Sequence, residues 1–384
     1  EGEAMSSNWY KMEGEGEDLL TDIRQFLKSV LELESMSAML VPRRLPGRQT
    51  VMPALVSRPE LLDAADPLAP AYAVNSAKNL SRLTRKGLEA EIAALLRPCE
   101  LRAHVELVKL HQSSRESLVI IGLDCLGAYS NRGYPDFVEE CGDSATETFY
   151  KARLAGRAPS EKVELSTACQ ICEQPVPEGA DILIALYGVD PDAGLFLEAR
   201  TEKGREVMEA VGADSANAPE KREQAVEELV AARIAERDRV FAETDAAVDS
   251  VEKLSAYLAD CVNCYNCRVA CPACYCRECV FTTDVFDHEP LQYLQWTARK
   301  GALKMPTDTV FYHITRLVHM STACVGCGQC SNACPNDIAL TELFRTVAHR
   351  TQAAFDYAAG RSTEEPPPLL VFKEEEFTDI VGLG

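Results

Sequence analysis

The sequence predicts an α/β protein, in which an α/β domain precedes a helical connector and a smaller, cysteine-rich α+β domain. In the first half, helical patterns alternate with short continuous apolar runs, LVIIGL at 118–123 and ADILIALY at 180–187. Such runs are typical of strands buried on both faces, and their alternation with helices favours the α/β class. Cysteines crowded between positions 261 and 334 set the last domain apart.

The amino-terminal part begins with an acidic, glycine-containing tail over residues 1–18, which offers little to pack against a core. From Leu19, apolar residues recur every three or four positions, which predicts a helix. Helical spacing dominates as far as about Gln112, and we expect helices throughout this region.

The dipeptide at Arg97 and Pro98 interrupts a second helical pair, predicted over 88–96 and 101–110. Proline disfavours a helical conformation in the residue before it, so the break falls at this point. The interruption therefore places Cys99 at the start of a helix.

The two apolar runs place further cysteines at strand ends. The first run ends next to Cys125, and open α/β sheets hold ligands at the carboxyl ends of their strands. The second run follows a C-x2-C pair formed by Cys169 and Cys172. These patterns together predict an α/β domain over residues 19–215.

The rest of the chain divides into three predicted segments. A connector over 216–258 contains a charged helix that opens near Pro219 and carries a rough apolar stripe, which we expect to lie on the core. The stripe consists of Val226, Leu229, Val230, Ile234, Val240 and Phe241. A cysteine-rich domain is predicted over 259–350. Residues 351–384 contain three consecutive prolines and predict an extended arm that binds partner subunits.

Composition excludes several classes of function. The chain has 384 residues and a formal charge of −21, which argues against binding nucleic acid. No apolar run approaches the roughly 20 residues that span a bilayer, so direct membrane insertion is not expected. Residues 1–25 lack a basic segment followed by an apolar one, which favours the cytoplasm. No Ser/His/Asp constellation, phosphate loop or G-x-G-x-x-G motif is found.

The run C-x2-C-x2-C-x3-C-P occurs twice, from Cys261 to Pro272 and from Cys324 to Pro335. Three thiolates on one short loop suit three irons of a cubane, while the fourth cysteine, directed away by its proline, reaches the partner cluster. The motif thus predicts two [4Fe-4S] clusters and one-electron transfer. The first cysteine set is Cys261, Cys264, Cys267 and Cys334. The second cysteine set is Cys271, Cys324, Cys327 and Cys330.

Zinc and disulfides are the alternative uses of such an array. Zinc sites combine cysteine or Cys/His pairs and have no need for a third closely spaced cysteine or for the proline. Disulfides need an oxidising compartment, and no export signal is visible. Iron–sulfur ligation is therefore the favoured interpretation.

Eight cysteines lie outside the two motifs. A third cysteine set, placed at a helix start, a strand end and the C-x2-C pair, can converge on one crevice and ligate a third [4Fe-4S] cluster. It comprises Cys99, Cys125, Cys169 and Cys172. Dispersed cysteines also serve as small buried hydrophobes. Cys141 is interpreted in this way, and the alternative is that it replaces one of the four cysteines of the third set. The extra cysteines, Cys274, Cys276 and Cys279, either ligate a further metal centre or pack as inert thiols.

Three basic residues precede the second motif at helical spacing: His313, Arg316 and His319. They can donate hydrogen bonds to cluster sulfurs or place positive charge beside a cluster, which raises its reduction potential. Helix capping and surface ion pairs are the alternative roles.

Five segments, taken in order, resemble a known family. They are RPCELRA at 97–103, IIGLDC at 120–125, the pair Cys169/Cys172 before an Ala-Asp strand, CVNCYNCRVACPACYCREC at 261–279 and CVGCGQCSNACP at 324–335. Over about residues 20–350 the chain resembles the beta subunits of methanogen formate dehydrogenase and of deazaflavin-reducing hydrogenase. The resemblance implies a cytoplasmic subunit that passes electrons between a catalytic subunit and FAD. In those relatives FAD exchanges hydride with coenzyme F420, or the subunit feeds a heterodisulfide reductase complex.

The resemblance also bears on individual sites. The third cysteine set matches positions shared by the family, Cys141 does not, and the extra cysteines match the formate dehydrogenase branch. The family's amino-terminal Cys-Gly-Gly turn has no match, since the equivalent region reads GEGEDLLTDIRQF. Asn75 and Lys78, in the segment NSAK, resemble the family's Asn-x-Gly-Lys and are the candidate FAD contacts, although a lone lysine on a helix is also commonly solvated.

Two functional hypotheses compete. In the first, FAD in the α/β domain accepts two electrons from a hydride donor and delivers them singly to the clusters. In the second, the chain is a flavin-less relay and adapter without a substrate site of its own, which the missing Gly-Gly turn favours. Either way we expect a subunit of a hetero-oligomeric oxidoreductase. Its expected partners are a formate dehydrogenase or hydrogenase catalytic subunit and heterodisulfide-reductase-like subunits. Surplus thiols alone suggest a third possibility, a redox sensor.

Overall fold

Strands and helices alternate in the first part of the chain, and helices follow in the second. The computed structural model describes residues 8–14, 18–47, 50–190, 193–286, 288–301, 303 and 306–371. The strands are β1 Trp9–Met12, β2 Met36–Arg44, β3 Val51–Val56, β4 Glu91–Leu96, β5 Leu118–Leu123, β6 Ile182–Ala185, β7 Leu195–Ala199 and β8 Asp214–Ala216. The helices of the first part are α1 Leu19–Leu31, α2 Ala77–Thr84, α3 Pro98–Lys109, α4 Gly133–Cys141, α5 Ala145–Leu154, α6 Thr167–Gln170 and α7 Glu202–Ala210. Those of the second part are α8 Arg222–Val248, α9 Val251–Tyr257, α10 Asn266–Ala270, α11 Pro290–Lys300, α12 Thr309–Met320, α13 Gln329–Asn332 and α14 Leu340–Ala354.

The strands form one mixed sheet in the order β3-β2-β4-β5-β6-β7-β1-β8. Its centre is parallel, from β2 through β4 and β5 to β6, and the outer pairings are antiparallel. Along β4, Ala93 and Leu95 join the core that includes α1, whereas Ala94 and Leu96 join the core that includes α3. The central strands are apolar throughout because both faces are covered.

The strands predicted from the apolar runs are confirmed. The run 118–123 is β5, and 182–185 within the second run is β6; the two pair in parallel. Helix α3 begins at Pro98, so Cys99 lies in its first turn as predicted. The α/β architecture expected from the sequence is therefore present, with β5 at its centre.

The helix predicted over 88–96 is wrong, because residues 91–96 form β4, between β2 and β5. The expectation of helices as far as Gln112 also fails at β2 and β3. A short apolar segment such as EIAALL can form either a helix or a strand. Here it forms a strand because it pairs with a neighbouring strand on each side.

Two further expectations differ from the structure. Residues 9–12, assigned to the tail, form β1 between β7 and β8, because Tyr10 buries its ring and the backbone completes an otherwise open edge. In the cysteine-rich region, the described residues between 259 and 350 contain helices and loops without a strand. Alternating apolar residues are lacking there; α12 instead buries Tyr312, Arg316 and Met320 at helical spacing.

The connector helix α8 lies on the core, as predicted. Arg222 at its start forms a buried bidentate ion pair with Asp124, at 2.6 and 3.0 Å. Asp124 also accepts hydrogen bonds from the backbone of Leu186 and Tyr187, just after β6. This pair fixes α8 to the edge of the sheet where β5 and β6 end.

Part of the predicted carboxyl-terminal arm packs on its own chain. Tyr357 is buried and donates a 2.6 Å hydrogen bond to Glu106 of α3, which also accepts one from Gly360. Residues 372–384 of the arm lie outside the described residues. Among the helices that the structure describes, none is long and apolar enough to cross a membrane.

Candidate iron–sulfur centres

The third cysteine set converges. Cys99 in the first turn of α3, Cys125 after β5, and Cys169 and Cys172 at and after α6 line a single cavity. The convergence follows from the fold, because β4 and β5 are parallel neighbours and their following segments meet at one edge of the sheet.

A buried carboxylate fixes the start of α3. Glu100 accepts hydrogen bonds from the backbone of Arg97 at 2.9 Å and of Ser76 at 2.8 Å. Pro98 occupies the first helical turn, where a missing N–H costs nothing. Cys99 is thereby held at a fixed position relative to the segment that precedes α2.

Polar and aromatic groups surround the Cys99 sulfur. The Tyr72 hydroxyl lies 3.2 Å from Cys99 Sγ and accepts a hydrogen bond from Asn75 at 2.8 Å. The Arg97 guanidinium lies 5.1 Å from the centre of the Tyr72 ring and donates to the carbonyls of Ala69 and Ala71. A buried cation and an O–H donor therefore face this part of the cavity.

A second buried arginine reaches the same cavity from α8. Arg233 donates to the carbonyl oxygens of Cys172 at 3.2 Å and Cys125 at 3.4 Å. The Tyr187 hydroxyl also donates to the Cys125 carbonyl, at 2.6 Å. These contacts fix the backbone of two of the four cysteines.

Burial raises the pKa of two of these thiols, Cys99 and Cys125. It raises the pKa of Cys125 to about 11, partly offset by the charge of Arg97. Burial, with the neighbouring thiol of Cys125, also raises the pKa of Cys99 well above its ordinary value. A bound metal reverses this, since coordination by a cation deprotonates a thiol.

The first cysteine set also lines one cavity, in which all four cysteines take part. Two aromatic residues of α12 contact it. His313 Nε2 lies 3.3 Å from Cys261 Sγ, and the Tyr312 hydroxyl lies 3.4 Å from Cys267 Sγ. Cys267 is buried, whereas Cys264 is exposed, so this site lies close to the surface.

The second cysteine set comes from α13, the loop before it and the residue that follows α10. Helices α10 and α13, which carry or adjoin its members, are in contact. Burial raises the pKa of Cys330 to about 12, and neighbouring thiols of Cys324 and Cys271 contribute in the same direction. The Thr341 hydroxyl lies 3.6 Å from Cys330 Sγ.

The second and third sets adjoin. Cys327 of the second set and Gly326 line the cavity of the third set. Gly328 has a φ of +77°, and a Cβ there would lie 2.5 Å from the Cβ of Ala168, next to Cys169. Glycine is therefore needed for the close approach of this loop to α6.

The donor atoms fit anionic iron–sulfur clusters. Buried nitrogens without a hydrogen-bond partner among the described residues occur beside the first set, at His313 Nδ1 and at Arg316 Nε and Nη1. Within the described residues, no group of three or more His, Cys, Asp or Glu side chains is arranged to hold a single metal ion. The four thiolates of a cubane bind four different irons.

The candidate flavin contacts are engaged inside the chain. Asn75 is buried, donating to Tyr72 and accepting from the backbone of Ala77 at 3.0 Å. Lys78 donates to the carbonyl of Val269, close to the second cysteine set. Burial lowers the pKa of Lys78.

A larger cavity, of about 210 Å³, lies where the α/β domain meets the cysteine-rich helices. Tyr72, Tyr129, Ser166, Thr341 and Cys327 are among the residues that line it. It is the candidate position for a small molecule beside the second and third sets.

The remaining cysteines do not join these sets in the structure. Cys141 ends α4 and is partly buried against the main core. Among the extra cysteines, Cys276 is exposed, while Cys274 and Cys279 pack partly buried beside the first and second sets. Burial raises the pKa of Cys274 to about 11.

Several residues of the site escaped the sequence analysis. No motif or spacing in the sequence marked Tyr72 as a residue of the site. Arg97 adjoins the Pro98-Cys99 turn, and Arg233 lies on the apolar stripe of α8, between Val230 and Val240. An arginine at a buried stripe position is a signal that points to a charge partner in the core.

The fold and the cysteine sites define the class: an iron–sulfur electron-transfer subunit in which a mixed α/β sheet is joined to a helical ferredoxin-like region. Residues 317–339 match the 4Fe-4S binding domain, and residues 90–224 match the family described as the C terminus of the coenzyme F420 hydrogenase/dehydrogenase beta subunit. Over residues 90–224 the chain is similar to the beta subunits of coenzyme F420 hydrogenases and dehydrogenases.

Two curated relatives are similar over most of the chain. The F420-dependent formate dehydrogenase subunit beta of Methanocaldococcus jannaschii is 28% identical over 313 residues, 75% of this chain and 79% of the relative. The F420-dependent formate dehydrogenase 1 subunit beta of Methanococcus maripaludis is 27% identical over 307 residues, 73% of this chain and 76% of the relative.

A chain of the F420-reducing [NiFe] hydrogenase complex from Methanosarcina barkeri is a structural match. It is 14% identical, with a TM-score of 0.46, and the match covers 64% of this chain and 94% of that one.

Proposed function

We propose that the three cysteine sets ligate three [4Fe-4S] clusters in an electron-transfer subunit of a cytoplasmic formate dehydrogenase or hydrogenase complex. Such clusters exchange single electrons. The observation that carries the proposal is that Cys327, a predicted ligand of the second cluster, lines the cavity of the third cysteine set. The ligand sets adjoin, so electrons have a continuous route from the α/β domain to the surface near Cys264.

A catalytic oxidoreductase subunit is the proposed partner. The two curated relatives are named as beta subunits of F420-dependent formate dehydrogenases, which supports a formate dehydrogenase complex. Helix α12 also exposes Phe311, Ile314 and Val318 on one side, while its other side covers the first cysteine set. Exposed apolar residues on a strongly acidic chain support contact with another subunit. A heterodisulfide-reductase-like acceptor belongs to the same proposal.

FAD and coenzyme F420 form the finer part of the proposal. The relatives' names support F420 as a reaction partner. The family resemblance supports a flavin that exchanges hydride with F420 and passes electrons to the clusters. The 210 Å³ cavity beside Cys327 supplies polar groups next to two cysteine sets.

A flavin-less relay is the second candidate, and specific contacts favour it. Asn75 and Lys78 already donate to Tyr72 and Val269 of the same chain. The cavity of about 210 Å³ is also smaller than the roughly 300–1,000 Å³ of most small-molecule sites.

Anaerobic purification with iron quantitation and flavin extraction tests both candidates. Three cubanes correspond to about twelve irons per chain. Twelve irons with one FAD support the flavin-containing subunit, and twelve irons without flavin support the relay. An iron content near zero would contradict the electron-transfer proposal itself.

The partner is tested separately by co-purification with a formate dehydrogenase catalytic subunit. Val318→Glu, on the exposed side of α12, should prevent co-purification without loss of iron. His319→Glu, also exposed but one position along the helix, is the matched control. Full co-purification of the Val318 variant would contradict a partner at this face.

A further inference from the structure

Arg316 of α12 is a buried cation that has no carboxylate partner in the described part of the chain. Its side chain is 5% exposed, and no Asp or Glu oxygen lies within 4 Å of it among the described residues. Nη2 donates to the Cys267 carbonyl at 3.2 Å, while Nε and Nη1 have no partner in the part of the chain that the structure describes. The guanidinium stacks on Phe344 at 4.7 Å and lies 5.7 Å from the Tyr312 ring centre.

Two other buried arginines of this chain have acidic partners. Arg222 pairs with Asp124, and Arg345 pairs with Glu173. Arg97, Arg102 and Arg233 donate instead to backbone carbonyl oxygens, and unlike Arg316 they have no buried nitrogen without a partner among the described residues. A cation removed from water without a countercharge is strongly destabilising, so a position such as that of Arg316 requires an anion. Its free N–H groups point to an anion other than a carboxylate of the described residues.

The anionic groups near Arg316 belong to two different ligand sets. Arg316 contacts the Cys267 carbonyl, and Met320, one turn further along α12, places its sulfur 3.9 Å from Cys271 Sγ. Phe344, on which the guanidinium stacks, lies on α14, whose Thr341 hydroxyl is 3.6 Å from Cys330 Sγ. Cys267 belongs to the first set, whereas Cys271 and Cys330 belong to the second. The guanidinium therefore lies between the two sites of the cysteine-rich region.

We infer that Arg316 is the shared counter-ion of the two clusters held by the first and second cysteine sets. The inference deepens the proposed function and rests on cluster ligation by these sets. A fixed positive charge favours the more negative, reduced state of each cluster, so Arg316 raises both reduction potentials. Tyr312 and Phe344 are positioning residues, because their rings hold the guanidinium between the sites.

Redox titration followed by electron paramagnetic resonance tests this role in the full-length chain, purified anaerobically. The variants are Arg316→Gln and Arg316→Met, which remove the charge, and Arg316→Lys, which retains it. In the first two we expect the reduced-to-oxidised ratio of both clusters at a fixed potential to fall about tenfold, or about 59 mV for a one-electron couple. Arg316→Lys should retain most of the wild-type potential.

Two controls separate charge from packing. The third cluster, in the same protein, should keep its potential in every variant. Arg350→Gln on α14 removes an exposed arginine that pairs with Asp245, and it should leave all potentials unchanged. Unchanged reduction potentials in Arg316→Gln with full iron content would overturn the inference. So would a shift of the reduction potentials in Arg316→Lys as large as that in Arg316→Gln.

A measurement on the wild-type chain applies even if Arg316→Gln loses its clusters. With arginine labelled by ¹⁵N in the guanidino group, the reduced first cluster should show hyperfine coupling to ¹⁵N. Absence of this coupling overturns the role of Arg316. The failure of the proposed function is distinguishable, because it would appear as missing iron in the unmodified wild-type chain.

Discussion

The Tyr72 hydroxyl lies 3.2 Å from the sulfur of Cys99, while the Tyr72 carbonyl accepts 2.9 Å hydrogen bonds from Gln329 and Asn332 of α13. One residue thus contacts Cys99, a predicted ligand of the third cluster, and the helix that carries Cys330, a predicted ligand of the second. Tyr72 links the α/β sheet to the cysteine-rich region at the point where their sites adjoin.

We expect Tyr72→Phe to lower the reduction potential of the third cluster without loss of iron. Loss of an O–H donor to a cluster sulfur destabilises the reduced state. It also removes the acceptor of the Asn75 amide, at a cost of about 1 kcal/mol in folding free energy. A redox titration monitored by electron paramagnetic resonance measures the potential.

Tyr129→Phe is the matched control. Tyr129 lines the 210 Å³ cavity together with Tyr72, and its buried hydroxyl has no hydrogen-bond partner among the described residues. This variant should keep the wild-type potential. Equal potentials in Tyr72→Phe and wild type would show that the hydroxyl does not act on the cluster.

Gly328→Ala should destabilise the junction between the second and third sites. The substitution places a Cβ 2.5 Å from Ala168 and imposes strain at a φ of +77°. We expect a loss of more than about 1 kcal/mol in folding free energy, with partial loss of iron. Thermal unfolding under anaerobic conditions and iron quantitation measure the two effects.

Gly212→Ala separates backbone strain from the clash. Gly212 has a similar φ of +73°, but its Cβ would meet nothing within 4 Å. It should destabilise the chain less and retain all iron. If the two variants behave alike, close packing of the loop on α6 is not what requires Gly328.

Cys125→Ala should remove one cluster, or about four irons of about twelve, and leave the signals of the other two. Alanine is chosen because it cannot replace the thiolate. Cys141→Ala, in which the cysteine lies outside the three sets, should retain all iron. Unchanged iron in Cys125→Ala would refute the third ligand set.

Because of His104, we expect the folding stability of the chain to depend on pH. Its side chain is fully buried, and burial together with the charge of Arg115 lowers its pKa to about 3. Below an unfolded pKa near 6.5, the unfolded chain binds a proton that the folded chain does not, so stability falls as pH falls from 6.5 toward 3. Between pH 7.5 and 5.5 the loss is about 1.4 kcal/mol.

Urea unfolding at these two pH values, in wild type and His104→Gln, isolates this contribution. The variant should lose about 1.4 kcal/mol less than wild type over the interval, since glutamine does not titrate. An identical pH dependence in the two proteins would rule out His104 as the source.

Local patterns predicted much of the fold. Strand β5, the start of α3 at Pro98 and the apolar side of α8 follow from runs, breaks and spacings of a few residues. Predictions from local patterns were wrong where a short segment can adopt more than one structure. The segment that forms β4 was predicted as a helix, and the segment that forms β1 as part of a tail. Pairing partners far away in the chain decide such segments.

The sequence by itself determined the number, spacing and chemistry of the cysteines, because the motif geometry is local and needs no knowledge of the fold. Only the tertiary structure brought the dispersed third set into one cavity, next to Cys327. It alone placed Tyr72 and Arg233 beside the third set, and Arg316 against Phe344 and the Cys267 carbonyl, because these buried positions depend on contacts between distant segments. The ligands are thus encoded locally, whereas the charges that surround them are set by packing.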